Sequence, residues 1–135
     1  MLKIEFNRYN PEAFMQCFNG AAIKKYKNEA AVEFTIEEYD YEVYLPLIDG
    51  NPDPESITTA RDVLGQINTL DNLVQESCAS ECKRTGISPN NYELYLACIF
   101  IGGSSIKLRY YGAKVNTEWD AEFKRNGTCW VPINL

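Results

Sequence analysis

Three groups of carboxylates carry most of the chemistry that this sequence offers. Glu37, Glu38, Asp40 and Glu42 stand close together, as do Asp49, Asp53 and Glu55, and Glu118, Asp120 and Glu122 recur at every second position. Alternate spacing puts side chains on one face of a strand, so the last group reads as a row. Such a row suits three kinds of chemistry: ligation of a hard cation, a glycosidase-like carboxylate pair, or an acidic surface for a basic partner. The plainer reading is a solvated face, partly neutralised by Lys107, Arg109 and Lys124.

Other catalytic equipment is missing. The chain has no histidine, which removes the usual general acid-base, the usual activator of a nucleophile and every His-containing zinc site. Gly102-Gly103 lacks the third glycine of a phosphate loop, no Gly-Lys-Ser/Thr follows it, and there is no Gly-x-Ser-x-Gly elbow. Cys78 and Cys82, four apart, share one helical face. They are either half of a thiolate site or two small hydrophobes in an apolar stripe. A structural zinc needs four ligands, and Cys17, Cys98 and Cys129 are not at finger spacing, so the stripe is expected. Neither metal nor cofactor is expected. Binding is the leading expectation, with a structural or regulatory homo-oligomer and a carboxylate-dependent hydrolase as alternatives.

Composition narrows the partner. Thirteen Lys and Arg against nineteen Asp and Glu leave a net charge of −6, the wrong sign for nucleic acid or an anionic membrane. A basic protein partner fits. Tyrosine dominates the aromatics, nine against six Phe and two Trp, and Tyr92, Tyr95, Tyr110 and Tyr111 fall on neighbouring expected strands. Tyrosine offers rigid area with a polar tip, which suits an interface or the half-wet face of a sheet. Five cysteines, an odd number at irregular spacing, fit reduced thiols. The first ten residues lack a basic segment followed by an apolar run, and no window approaches 18 apolar residues. The expectation is a cytoplasmic chain.

The elements that must position these residues follow from periodicity. At 135 residues the expectation is one α+β domain over 1–135. Leu2, Ile4 and Phe6 alternate with polar residues and suggest a short strand; Phe14 to Phe18 suggests a helical turn. Val32, Phe34 and Ile36, then Val43, Leu45 and Leu47, alternate as two strands of a hairpin. Pro46 places the second at an edge or a bulge. Asp53-Pro54-Glu55 reads as a helix start. From there Ile57, Ala60, Val63, Leu64, Ile67, Leu70, Val74, Cys78 and Cys82 form one stripe that runs to Lys83, Arg84 and a stop at Gly86. Gln75 falls on the polar side, and Gly65, which costs roughly 1 kcal/mol against Ala, leaves room for a kink or break. Tyr92 to Ile101 reads as a central strand, apolar on both faces except Glu93. Gly102-Gly103-Ser104-Ser105 and Asn126-Gly127 read as hairpin turns. Thr117 to Lys124 reads as a strand, with a short helix the competing reading because Trp119 and Phe123 are four apart. The expected architecture is an antiparallel sheet, N-terminal hairpin plus C-terminal meander, packed on one long amphipathic helix.

The segment from Arg109 to Phe123, RYYGAKVNTEWDAEF, resembles the C-terminal strand-loop-strand of small bacterial α+β proteins, some of them associated with polymorphic toxin systems. Size, acidity and missing catalytic groups are similar to those of immunity proteins of contact-dependent growth inhibition. The resemblance implies neutralisation of a toxin domain by direct binding, which the acidity of this chain would make a basic one; it brings no functional residue with it. The residues expected to meet a partner come from the charge pattern: Glu118, Asp120, Glu122 and Tyr111, with Glu37, Glu38, Asp40 and Glu42 at the first hairpin.

Overall fold

The computed structural model describes residues 5–87, 93–112 and 117–135. Leu2 and Ile4, Tyr92, and the stretch 113–116 lie outside the described residues. Among those described, the elements run α1 (Pro11–Gly20), β1 (Ile23–Lys25), β2 (Glu29–Ile36), β3 (Tyr39–Ile48), β4 (Asn51–Pro52), α2 (Pro54–Gly65), α3 (Ile67–Thr85), β5 (Leu94–Ile101), β6 (Ser105–Gly112), β7 (Glu118–Asn126) and β8 (Cys129–Asn134). The α+β class is as expected, and 118–126 is strand, not helix.

The sheet is mixed, not purely antiparallel. Its order is β1-β2-β3-β5-β6-β7-β8, with β4 beside β3. The first hairpin and the C-terminal meander meet where Glu42–Tyr44 of β3 run parallel to Cys98–Phe100 of β5. Between those strands lie α2 and α3, which carry the chain back to the end at which β3 began; a crossover of that kind makes its strands parallel. Pro46 is therefore not on an edge strand. It stands beyond the short parallel pairing with β5, opposite Glu29 of β2, and its carbonyl accepts from the Asp53 N–H at 3.1 Å. The true edges, β1 and β8, are blunted by Lys24 and Lys25 and by Pro132.

The expected single helix is two. Asp53 caps α2, accepting from the Glu55 N–H at 3.1 Å and the Ser56 hydroxyl at 3.2 Å. The helix then ends at Gly65, a residue type that disfavours helix continuation, and Gln66 (φ −106°, ψ 14°) turns the chain into α3. Gly86 closes α3 in the left-handed region at φ 73°. The apolar stripe survives the break: Ala60, Val63, Leu64, Ile67, Leu70, Val74, Cys78 and Cys82 are all buried. Burial pushes the Cys78 thiol up to about 12, with the neighbouring Cys82 adding to the shift, so this pair serves as core. No helix among the described residues is long and apolar enough to cross a membrane.

The helical residues share one core with Val32, Val43, Leu45, Ile99, Leu108, Ala121 and Phe123 from the strands. Strand β5 supplies this core from both its halves through a bulge. Leu94, Tyr95 and Leu96 oppose Gly112, Tyr111 and Tyr110, the next pair is Cys98 with Arg109, and Ala97 is the extra residue. The insertion shifts the alternation by one, so Leu94, Leu96, Ile99 and Ile101 all face the helices. That is why the strand reads as apolar at both parities.

Residues 5–10 form no strand. They lie along α3, clasped by side chains from successive turns. Asn68 exchanges bonds with the Tyr9 backbone at 3.0 and 2.7 Å, and Asn72 does so with Asn7, both at 2.9 Å. Asn7 adopts φ 52° to fit. Between the two amides, Asp71 is fully buried. It accepts from Arg8 Nε at 2.9 Å, Arg8 Nη2 at 3.1 Å and the Tyr110 hydroxyl at 2.7 Å, with a longer 3.4 Å bond from Gln75 Nε2. Gln75, expected on the polar side, is 2% exposed.

Candidate functional site

Because the helices contribute to one core on one side, the alternate strand residues form an open face. Register aligns Glu33, Glu42, Cys98, Arg109 and Asp120 in one row across β2, β3, β5, β6 and β7. The next row holds Tyr44, Phe100, Lys107 and Glu122. At the centre, Tyr44 and Phe100 stack with centroids 4.9 Å apart. Lys107 and Arg109 lie 4.7 and 5.0 Å from the Phe100 ring centroid, within cation–π range. The Tyr44 hydroxyl donates to Glu42, and this bond, followed by burial, raises its pKa. Cys98, in the first row, is buried, its thiol pushed up to about 11 by burial and then by the Glu42 charge.

The row Glu118, Asp120 and Glu122 is on this face, as the alternation predicts, yet its members differ. Asp120 accepts from Arg109 Nε at 2.9 Å and Nη2 at 3.1 Å, with Lys107 Nζ at 4.0 Å. The Arg109 hydrogen bond holds its carboxyl below the usual aspartate range, which suits a structural anion and not a proton donor. Glu118 stands 3.4 Å from Arg109 Nε. Glu122 is exposed, and its cross-strand neighbour Lys107 turns to Asp120 instead. Tyr111, also exposed, pairs with Glu118 on one side and Tyr95 on the other.

The first-hairpin carboxylates divide between two places. Asp40 and Glu42 join the open face, where Asp40 accepts from the Thr35 hydroxyl at 2.6 Å. Glu37 and Glu38 form the turn between Ile36 and Tyr39, which are paired. Glu37 has φ 59°, a conformation that costs an L-residue roughly 1–2 kcal/mol. It lines a cleft of about 370 Å3 between the hairpin end and the segment before α1. Tyr9, Tyr39, Tyr41 and Tyr95 supply the walls, and Glu5 and Glu93 join Glu37 at its margin. The Tyr39 and Tyr95 rings stack at 5.3 Å, and the Tyr95 hydroxyl donates to Glu93 at 3.0 Å. Burial first, then Glu93, pushes that phenol up to about 12. Arg8 also lines the cleft, with its charge met by Asp71.

Of the carboxylates at the helix start, Asp53 is engaged in capping. Among the described residues no group of three or more Cys, Asp or Glu side chains is placed to hold a metal ion. Sequence reasoning missed the cleft. Glu37, Glu93 and Tyr95 were each visible singly, Glu93 as the single charge at the start of an otherwise apolar strand; Tyr9 and Tyr39 gave no signal, because only the fold brings them to Tyr95. No protein-family model, no curated protein and no solved structure matches this chain.

Proposed function

We propose that this chain is a non-catalytic binding protein of the immunity type, which neutralises a basic protein partner, such as a toxin domain, by covering it. The observation that carries this reading is the open face: the stacked pair Tyr44 and Phe100 sits among carboxylates on the sheet, with no helix of the described chain over it. Large, rigid aromatic area set in a charged frame is what anchors and steers a protein interface. Two cations of this face, Lys107 and Arg109, are already committed to Asp120, Glu118 and Phe100, so Glu122, Glu118 and the hairpin carboxylates outweigh what remains and present the field to a partner.

The test begins with capture of basic proteins on the purified chain at low salt. It continues with kinetics on the recovered partner, and with growth of cells producing a toxin domain encoded beside the chain. Charge reversal at the two exposed positions, Glu118→Lys with Glu122→Lys, should slow association several-fold, and the deficit should shrink as salt rises. Recovery of no basic protein, or association indifferent to ionic strength, overturns the reading.

A further inference from the structure

One guanidinium already lies in the cleft. Arg8 stands 4.9 Å above the Tyr9 ring and forks onto both oxygens of Asp71, a combination of aromatic face and planar carboxylate that arginine satisfies and lysine does not. The rest of the lining repeats the same ingredients without a cation. Tyr39 and Tyr95 offer a stacked pair, and Glu5, Glu37 and Glu93 bring three negative charges to one space. Among the described residues none of these three carboxylates is in an ion pair. The cleft, at about 370 Å3, is at the small end of binding pockets and suits one side chain better than a stretch of polypeptide.

We propose that this cleft takes an arginine side chain of the partner, its guanidinium against the Tyr39–Tyr95 pair and on the carboxylates of Glu37 and Glu93. The inference rests on the reading of the chain as a binder of a basic protein and names the group that anchors it. The open face then supplies area and long-range attraction, and the cleft supplies selection among basic surfaces.

A hexaarginine peptide is the probe, titrated calorimetrically into the full chain at low salt, with hexalysine and hexacitrulline peptides as controls. Hexaarginine should bind about threefold or more tightly than hexalysine, the margin expected of cation–π and forked contacts, and hexacitrulline should not bind. Tyr39→Ala and Glu93→Gln should each erase the arginine preference. Tyr39 is 38% exposed, so its loss leaves the fold intact, which circular dichroism checks. Glu76→Gln, on the exposed flank of α3, should change nothing. Equal binding of the two cationic peptides, unaffected at Tyr39 and Glu93 and weakened instead by Glu118→Gln with Glu122→Gln, overturns the cleft while leaving the basic-partner reading standing. No binding of either cationic peptide removes both.

Discussion

Two arginine–aspartate pairs in this molecule share one geometry and differ in everything around it. Arg8 forks onto Asp71 at 2.9 and 3.1 Å, and Arg109 forks onto Asp120 at 2.9 and 3.1 Å. The Asp71 side chain is 0% exposed and that of Asp120 is 31%. The inner pair joins the N-terminal segment, α3 and β6 through the Tyr110 hydroxyl. The outer pair joins two adjacent strands that the ladder already holds. Bond lengths alone would rank them equal. Water decides otherwise: a buried charge stripped of its partner has nothing to turn to, whereas an exposed one is resolvated. The inner pair belongs to folding and the outer pair to the surface.

The largest effect should come from Asp71→Ala. It leaves Arg8 without its counter-charge and Tyr110 without an acceptor, and should destabilise by about 3–5 kcal/mol in urea unfolding; a loss near 1 kcal/mol would erase the distinction between the pairs. Leu70→Ala, one position away on α3 and 1% exposed, is the apolar yardstick and should lose about 2–5 kcal/mol. If it loses more than Asp71→Ala, packing and not the charge network secures this helix. Gln75→Ala should lose about 1 kcal/mol, since its bond to Asp71 is long but its site is closed; an unchanged midpoint would show that this amide is incidental. Asp120→Asn should change stability by less than about 1 kcal/mol, and added salt should shrink even that.

Acid sharpens the last case. The Arg109 hydrogen bond lowers the folded-state pKa of Asp120, so its contribution is complete above the ordinary aspartate value of about 4 and fades as pH falls through the lower folded value. The stability gap between the wild type and Asp120→Asn should therefore be flat near neutrality and close below about pH 4. A gap that widens in acid reverses the assigned sign.

What the sequence made legible was local. Alternation at Val32–Ile36 and Glu118–Phe123, the Asp53-Pro54 cap and the Gly86 stop each need only a few neighbouring residues, and each is found. The open-face row was readable for the same reason, because strand parity alone places Glu118, Asp120 and Glu122 together. What was hidden depends on distant partners. Asp71 and Gln75 sit at polar positions of a helical pattern, and nothing in that pattern reveals Arg8 or Tyr110, far off in sequence, arriving to cover them. The parallel pairing of β3 with β5 had a readable cue, since two adjacent strands joined through helices run parallel, but periodicity within the helix gives no hint of which strands will be neighbours. The cleft draws on three separated segments, so Glu37, Glu93 and Tyr95 were visible singly while their meeting was not.

The bulge at Ala97 has a consequence for how this protein tolerates change. Leu96 and Cys98 already oppose consecutive residues of β6, Tyr110 and Arg109. A chain without Ala97 would pair them as neighbours, and Leu94, Leu96, Ile99 and Ile101 would all keep their present face. Loss of one residue elsewhere in the strand would instead carry one of its halves onto the wrong face. Length is thus negotiable at one position of β5 and fixed at the rest. Among descendants of this chain, Ala97 should be the residue of this strand that comes and goes.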